Sequence, residues 1–189
     1  MQKIPTVFER DWSGDRSRVI NQVHPGCEWV LLGKGIATRK LDGTCCLVRG
    51  GKLFKRRELR KGEAAPSDFE SVATDDETGK VVGWVPVGAG PEDKWHREAF
   101  ALGPLSDGTY ELIGPKVQGN PEPEKVEQHL LIRHGEGMAG PVADVPRSFD
   151  ALRGWLEALD IEGIVFHHPD GRKAKIKARD FGLRRGGRK

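Results

Sequence analysis

The stretch "GTCCLVRGGKLFKRREL" at residues 43–59 decides how this chain is to be read. Two strand-like runs flank Gly50-Gly51, and a Gly-Gly pair in that position is a hairpin signal. Working outward, further strand-like runs are "VVGWVPV" (81–87), "GTYELIG" (108–114), "HLLIRHG" (129–135) and "EGIVFHH" (162–168). The last passes through Pro169, Asp170 and Gly171 into "RKAKIKA" (172–178), which reads as a second hairpin. One helix is expected after Ser148 as its cap, because Phe149, Leu152, Leu156 and Leu159 fall on one face at helical spacing. A shorter helix is expected over "PEDKWHREAF" (91–100), and a mobile acidic surface loop over 62–80. With 25 glycines and 12 prolines, the composition favours many short strands and turns over a helical bundle. The expectation is a single α+β domain over 1–189, built on antiparallel sheet.

Bulk properties narrow the class. A chain of 189 residues, 31% charged and 37% hydrophobic, suits a globular domain with a substantial core. No apolar run approaches the roughly 18 to 20 residues that span a bilayer. The N-terminus "MQKIPTVFERDW" lacks a signal-peptide core, and three cysteines, two of them adjacent, form no disulfide framework. A cytoplasmic location with no membrane association is expected, and no obligate protein partner is evident. No G-x-x-x-x-G-K-[ST] loop is present, which argues against a P-loop ATPase. His167-His168 and the pair His129/His134 lack metal-ligand spacing with the cysteines, so no zinc site is expected.

The net charge of +3 hides segregation along the chain. Seven basic residues lie between Arg49 and Lys61 against the single acid Glu58. From Gly62 to Gly79 there are only acids, and the tail "KAKIKARDFGLRRGGRK" is basic again. Two basic blocks of this kind suit a polyanion, or else solvated faces.

Just before the first hairpin stands "KLDG" (40–43). A lysine acting as nucleophile needs its lone pair, yet near pH 7 only about one lysine in a few thousand is neutral. Positive neighbours and partial desolvation both favour the neutral amine. Arg56, Lys175 and Lys177 are candidates for those neighbours, and they would also grip a triphosphate. Lys175 and Lys177 alternate with Ala174 and Ile176, so on a strand both lysines share one face. A divalent metal would need carboxylates, and Glu111 and Glu162 stand in strand-like contexts where a charge wants a partner. Asp42 and Gly43 suit a tight turn after the lysine, glycine tolerating unusual torsions and Asp42 orienting Lys40 or capping the turn.

Taken in order, these segments resemble the covalent nucleotidyltransferase superfamily of polynucleotide ligases and capping enzymes. "KLDG" looks like its nucleotidyl-lysine motif and "LFKRRE" (53–58) like the arginine-bearing motif after it. "YELIG" (110–114), "EGIVF" (162–166) and "KIK" (175–177) look like the third, fourth and fifth. With "GCEWVL" (26–31), "GIATRKLDGTCC" (35–46), "KWHREAF" (94–100) and "YELIGPKVQGNPE" (110–122), the chain resembles a compact family of ATP-dependent 5′–3′ RNA ligases. The resemblance implies an adenylyltransferase domain of the ATP-grasp-like ligase type, with two antiparallel β-sheets, flanking helices and ATP held between the sheets. It implies an enzyme that joins 5′-phosphate and 3′-hydroxyl RNA ends through lysyl-AMP, with ATP as adenylate donor and Mg²⁺ or Mn²⁺ as cofactor.

The same resemblance assigns roles. Lys40 is the nucleophile, with Arg39 beside it in the ATP site. Arg56 contacts ribose or phosphate, with Arg57 or Lys55 as alternatives. Glu111 holds ribose hydroxyls, Glu162 organises the metal, and Val165 packs against adenine. Lys175 and Lys177 bind the α-phosphate. The strand after the third motif carries no aromatic residue to stack on adenine, leaving His129 or Ile132. Only 12 residues follow Lys177, which leaves no room for an OB-fold domain and favours RNA ligation over capping. The other readings are a DNA nick-sealing ligase core and a noncatalytic RNA-binding module of the same fold.

Overall fold

The computed structural model describes residues 4–75, 78–122 and 125–184. The fold is α+β and mostly antiparallel. Among the described residues the contacts divide into two compact units, one over Asp42–His134 and the other over Ile4–Leu41 with residues 135–184. The chain therefore passes from one unit to the other between Leu41 and Asp42, inside "KLDG".

The unit containing both ends of the described chain opens with a short ribbon, β1 (Phe8–Arg10) and β2 (Val19–Val23), followed by α1 (Glu28–Leu31) and β3 (Ile36–Lys40). The Asp42–His134 unit carries β4 (Thr44–Arg49), β5 (Lys52–Leu59), β6 (Glu70–Thr74), β7 (Val81–Pro86), α2 (Lys94–Phe100), β8 (Gly108–Ile113) and β9 (Leu130–Arg133). The chain then returns to the first unit with α3 (Phe149–Glu157), β10 (Gly163–His167) and β11 (Lys173–Lys177). Both expected hairpins form, β4–β5 around Gly50-Gly51 and β10–β11 around the Pro-Asp-Gly turn.

In the Asp42–His134 unit a six-stranded sheet runs in the order β6-β7-β5-β4-β8-β9. One face buries Cys46, Val48, Leu53, Tyr110 and Leu112 with Ala99 of α2. The acidic segment departs from the expectation of a loop over 62–80. Part of it is β6, paired antiparallel with β7, because its acids meet the basic hairpin. Glu70 accepts from Arg49 at 2.7 Å, Glu63 from Arg57 at 2.9 Å, and Lys80 donates to Glu58 at 2.7 Å. Each exposed pair contributes at most about 1 kcal/mol, so the pairs fix register more than they stabilise.

In the other unit, a three-stranded sheet has the order β11-β10-β3, with β10 in the middle. Its inner face buries Ile164, Phe166, Ala174 and Ile176 against Leu152 and Leu156 of α3. Phe8, Phe149 and Phe181 close that core edge-to-face. The helix forms where expected but stops at Glu157, leaving Leu159 beyond its end and exposed. Ser148 precedes α3 in extended conformation, and its side chain makes no capping hydrogen bond.

Candidate active site

Strand pairing brings four of the expected residues to one face of the three-stranded sheet. Gly163 at the start of β10 is in register with Lys40 on β3 and with Lys177 on β11. Opposed residues on paired strands face the same side, so Lys40 and Lys177 project from one face. Two residues along, Val165 lies between Thr38 and Lys175, placing Val165 and Lys175 on that same face. The alternation expected of "KIK" is present, with Ala174 and Ile176 fully buried on the other side.

Glu162 joins the two lysines. Its Oε2 lies 2.5 Å from Lys40 Nζ and its Oε1 2.5 Å from Lys177 Nζ. All three side chains are largely withdrawn from solvent. Burial pushes the Glu162 carboxyl upward, but the ammonium groups of Lys40 and Lys177 outweigh it and hold the pKa below the usual carboxylate value. Lys177 is held below the ordinary lysine range, chiefly by burial and then by the charge of Lys40. One carboxylate thus serves two cations, and the group keeps a net positive charge suited to a phosphate.

Arg39 is not brought to this cluster. Its register opposite Ile164, which in turn pairs with Ile176, puts it on the other face of the sheet from Lys40. Its backbone N–H donates to the Gly140 carbonyl at 3.0 Å.

The six-stranded sheet of the Asp42–His134 unit holds the remaining expected residues. Glu111 on β8 is buried, accepts from the Gly43 backbone N–H at 3.1 Å and lies 2.9 Å from His134 Nε2. Gly43 lacks the positive φ expected of a glycine-requiring turn; close packing is what demands it. A Cβ there would lie 2.2 Å from the Leu112 carbonyl oxygen. Asp42 donates its backbone N–H to the fully buried Glu122 at 2.8 Å, a partner eighty residues away that no motif announces.

Strand alternation divides Lys55, Arg56 and Arg57 between the two faces. Lys55 opposes Cys46 on the core face, where it donates to Asp93 at 2.5 Å. Arg57 shares that parity and pairs with Glu63, whereas Arg56 lies on the opposite face, the side carrying Glu111. Ile132, opposed to Glu111 across β8–β9, shares that face too. His129 is otherwise engaged: its ring is stacked on Trp95, with Nδ1 2.9 Å from Glu98 and Nε2 accepting from Lys116 N–H.

Asp180 was not singled out from sequence. It is buried and accepts from the Lys177 backbone N–H and from Arg10 Nη2, both at 2.9 Å. Its place three residues after Lys177 is the spacing at which an acid reaches back to the backbone at the start of a helical turn, here the 3-10 turn Ala178–Phe181.

The three-stranded sheet thus carries a withdrawn lysine–carboxylate–lysine cluster, and the six-stranded sheet carries a carboxylate and an arginine on one face. The chain matches the family profile of RNA ligase 1 over residues 90–187. It is 27% identical to RNA ligase 1 of Mus musculus and 29% identical to that of Pongo abelii, in each case over 78% of this chain and 67% of the relative. RNA ligase 1 of Danio rerio is 26% identical over 97% of the chain and 81% of its own length. The chain belongs to the RNA ligase 1 family.

Proposed function

We propose that this protein is an ATP-dependent RNA ligase with an adenylyltransferase fold, working through Lys40. The observation that carries the reading is the shared carboxylate of Glu162, 2.5 Å from both Lys40 and Lys177. A purely structural sheet face has no need of two withdrawn ammonium groups around one acid, since burying such charges is costly.

In the first step the Lys40 amine, having lost a proton, attacks the α-phosphorus of ATP. The Nζ–P bond forms, the bond from the α-phosphorus to the bridging oxygen breaks, and pyrophosphate leaves. Lys40 stands as an ammonium against Glu162, so loosening of that contact, beside the positive charge of Lys177, is what lets it give up the proton. Lys175 and Lys177 stabilise the negative charge that grows on the α-phosphate. In the second step an oxygen of the RNA 5′-phosphate attacks the adenylate, the N–P bond breaks and Lys40 regains its proton. In the third a 3′-hydroxyl attacks the adenylated 5′ end and AMP departs. By the motifs they stand in, Glu111 and Arg56 are assigned the ribose and its phosphate, and Val165 the base.

Glu162 suits Mg²⁺ or Mn²⁺, because such cations are commonly held by one or two carboxylates together with substrate phosphate oxygens. When bound, the cation supplies neutralisation of triphosphate charge. Glu162 must then loosen one ammonium contact, and Lys40 is the group that benefits from release.

The test is incubation with α-labelled ATP and Mg²⁺ or Mn²⁺, followed by denaturing electrophoresis. Label should persist on the wild-type chain, resist alkali, yield to acid as a phosphoramidate does, and vanish in Lys40→Ala. Absence of label with any nucleotide rejects the reading and leaves an RNA-binding module. Label from GTP alone points to capping-type chemistry, and sealing of DNA but not RNA points to a DNA ligase core.

A further inference from the structure

We propose that Cys45, Glu111 and His134 form a binding site for a borderline-soft divalent cation of the Zn²⁺ type. Sequence spacing conceals this group, since its members come from β4, from β8 and from the residue just after β9. Antiparallel pairing sets Cys45 directly opposite Glu111, and the backbone of His134 donates to the Thr109 carbonyl at 3.1 Å. One ligand atom from each residue lies within 4.8 Å of the other two. Tetrahedral zinc separates its ligand atoms by about 3.5 Å, so small side-chain rotations suffice.

Two further contacts favour a metal over a chance cluster. His134 Nδ1 lies 3.0 Å from Thr109 Oγ1, which orients the ring and leaves Nε2 directed at Glu111. Glu111 is itself fixed through Oε1 by the Gly43 N–H, leaving Oε2 toward the common point. Outer partners of this kind, here on His134 and on Glu111, are what metal-binding histidines and carboxylates carry. The adjacent cysteines divide the labour, because neighbours on a strand face opposite ways. Cys46 is buried in the core, whereas Cys45 is half-exposed beside Glu111. Three protein ligands including thiolate and imidazole suit zinc and leave a fourth position open.

Glu111 is also the carboxylate assigned above to ribose hydroxyls, so on that reading zinc and nucleotide compete for it. The experiment titrates the full chain with Co²⁺ and Zn²⁺, following thiolate-to-cobalt charge-transfer absorbance and competition with a chelator. One equivalent should bind with a thiolate band. Cys45→Ser should abolish the band, and both Cys45→Ser and His134→Ala should weaken Zn²⁺ binding at least about ten-fold. Cys45→Ser should melt at the wild-type temperature. No thiolate band, or unchanged affinity in both variants, overturns the site. Zn²⁺ should also suppress Lys40 labelling in the wild type but not in Cys45→Ser. Binding without suppression overturns the ribose role of Glu111 and keeps the metal site; labelling without binding does the reverse.

Discussion

Gly163 and Lys177 are paired so closely across β10–β11 that a Cβ at 163 would lie 2.1 Å from the Ile176 carbonyl oxygen and 2.8 Å from Lys177 Cα. Since Gly163 also pairs with Lys40, any side chain there wedges apart the strands that carry both lysines. Gly163→Ala is therefore expected to cost about 1–3 kcal/mol in chemical denaturation, the usual range for overpacking. Labelling by ATP should fall further than stability alone accounts for, by up to about a hundred-fold, because small misplacements of reacting groups are punished heavily. Retention of full labelling rate in a folded Gly163→Ala protein would show that the spacing of the two lysines is irrelevant to the chemistry.

Lys175→Ala and Lys177→Ala should each suppress label transfer from ATP while leaving the far-ultraviolet circular dichroism unchanged. Their effects on stability should differ. Lys177→Ala strips one of two cations from the buried Glu162 carboxylate, at a cost of about 1.5–3 kcal/mol, the range for hydrogen bonds to charged groups. Label transfer at wild-type rate in either variant would remove that lysine from the phosphate-binding role.

Acid should loosen this cluster in a direction fixed by Glu162. Its folded-state pKa is depressed, so its stabilising contribution is present above the unfolded carboxylate value of about 4.3 and is lost as pH falls through the folded value. One such proton changes stability by at most about 1.4 kcal/mol per pH unit. Thermal melts between pH 6 and pH 3 (a window of roughly three units around that reference value) should therefore decline more steeply for wild type than for Glu162→Gln, which has no proton to gain. Parallel curves would mean that Glu162 is not ionised against the lysines.

How much of this was legible beforehand depended on the range of the interaction concerned. The two hairpins were readable because a turn residue and its flanking strands lie within twenty residues of each other. The lysine face of β11 followed from simple alternation. Strand β3 carries Lys40 but is hard to read locally, since "IATRK" lacks clean alternation of apolar and polar residues and is held as a strand by pairing with β10. For the same reason the orientation of Arg39, opposite to that of Lys40, is visible only once β3 is paired. The acidic segment reads as a loop because its partners, Arg49 and Arg57, belong to another part of the chain. Cys45 and His134 were set aside on linear spacing, which says nothing about ligands gathered across neighbouring strands. Resemblance to a family supplied the roles; register supplied the faces.

The contact between Asp180 and Lys177 gives a final prediction, in which positioning can be told from mere stability. Asp180 ties the Lys177 backbone to Arg10, whose guanidinium also donates to the Ser17 carbonyl at 2.9 Å. Removing the acid leaves a backbone N–H without its acceptor and Arg10 without its ion-pair partner. Arg10 retains some solvent contact, which lowers the penalty, so Asp180→Ala should cost about 1–3 kcal/mol. Asp180→Asn keeps an oxygen for the Lys177 N–H while losing the charge, whereas Arg10→Ala keeps the anchor and loses only the ion pair. If Asp180 positions Lys177, single-turnover label transfer at saturating ATP should fall in Asp180→Ala, recover in Asp180→Asn and stay near wild type in Arg10→Ala, although all three melt lower. A rate that follows melting temperature alone across the three variants would reduce Asp180 to a structural acid.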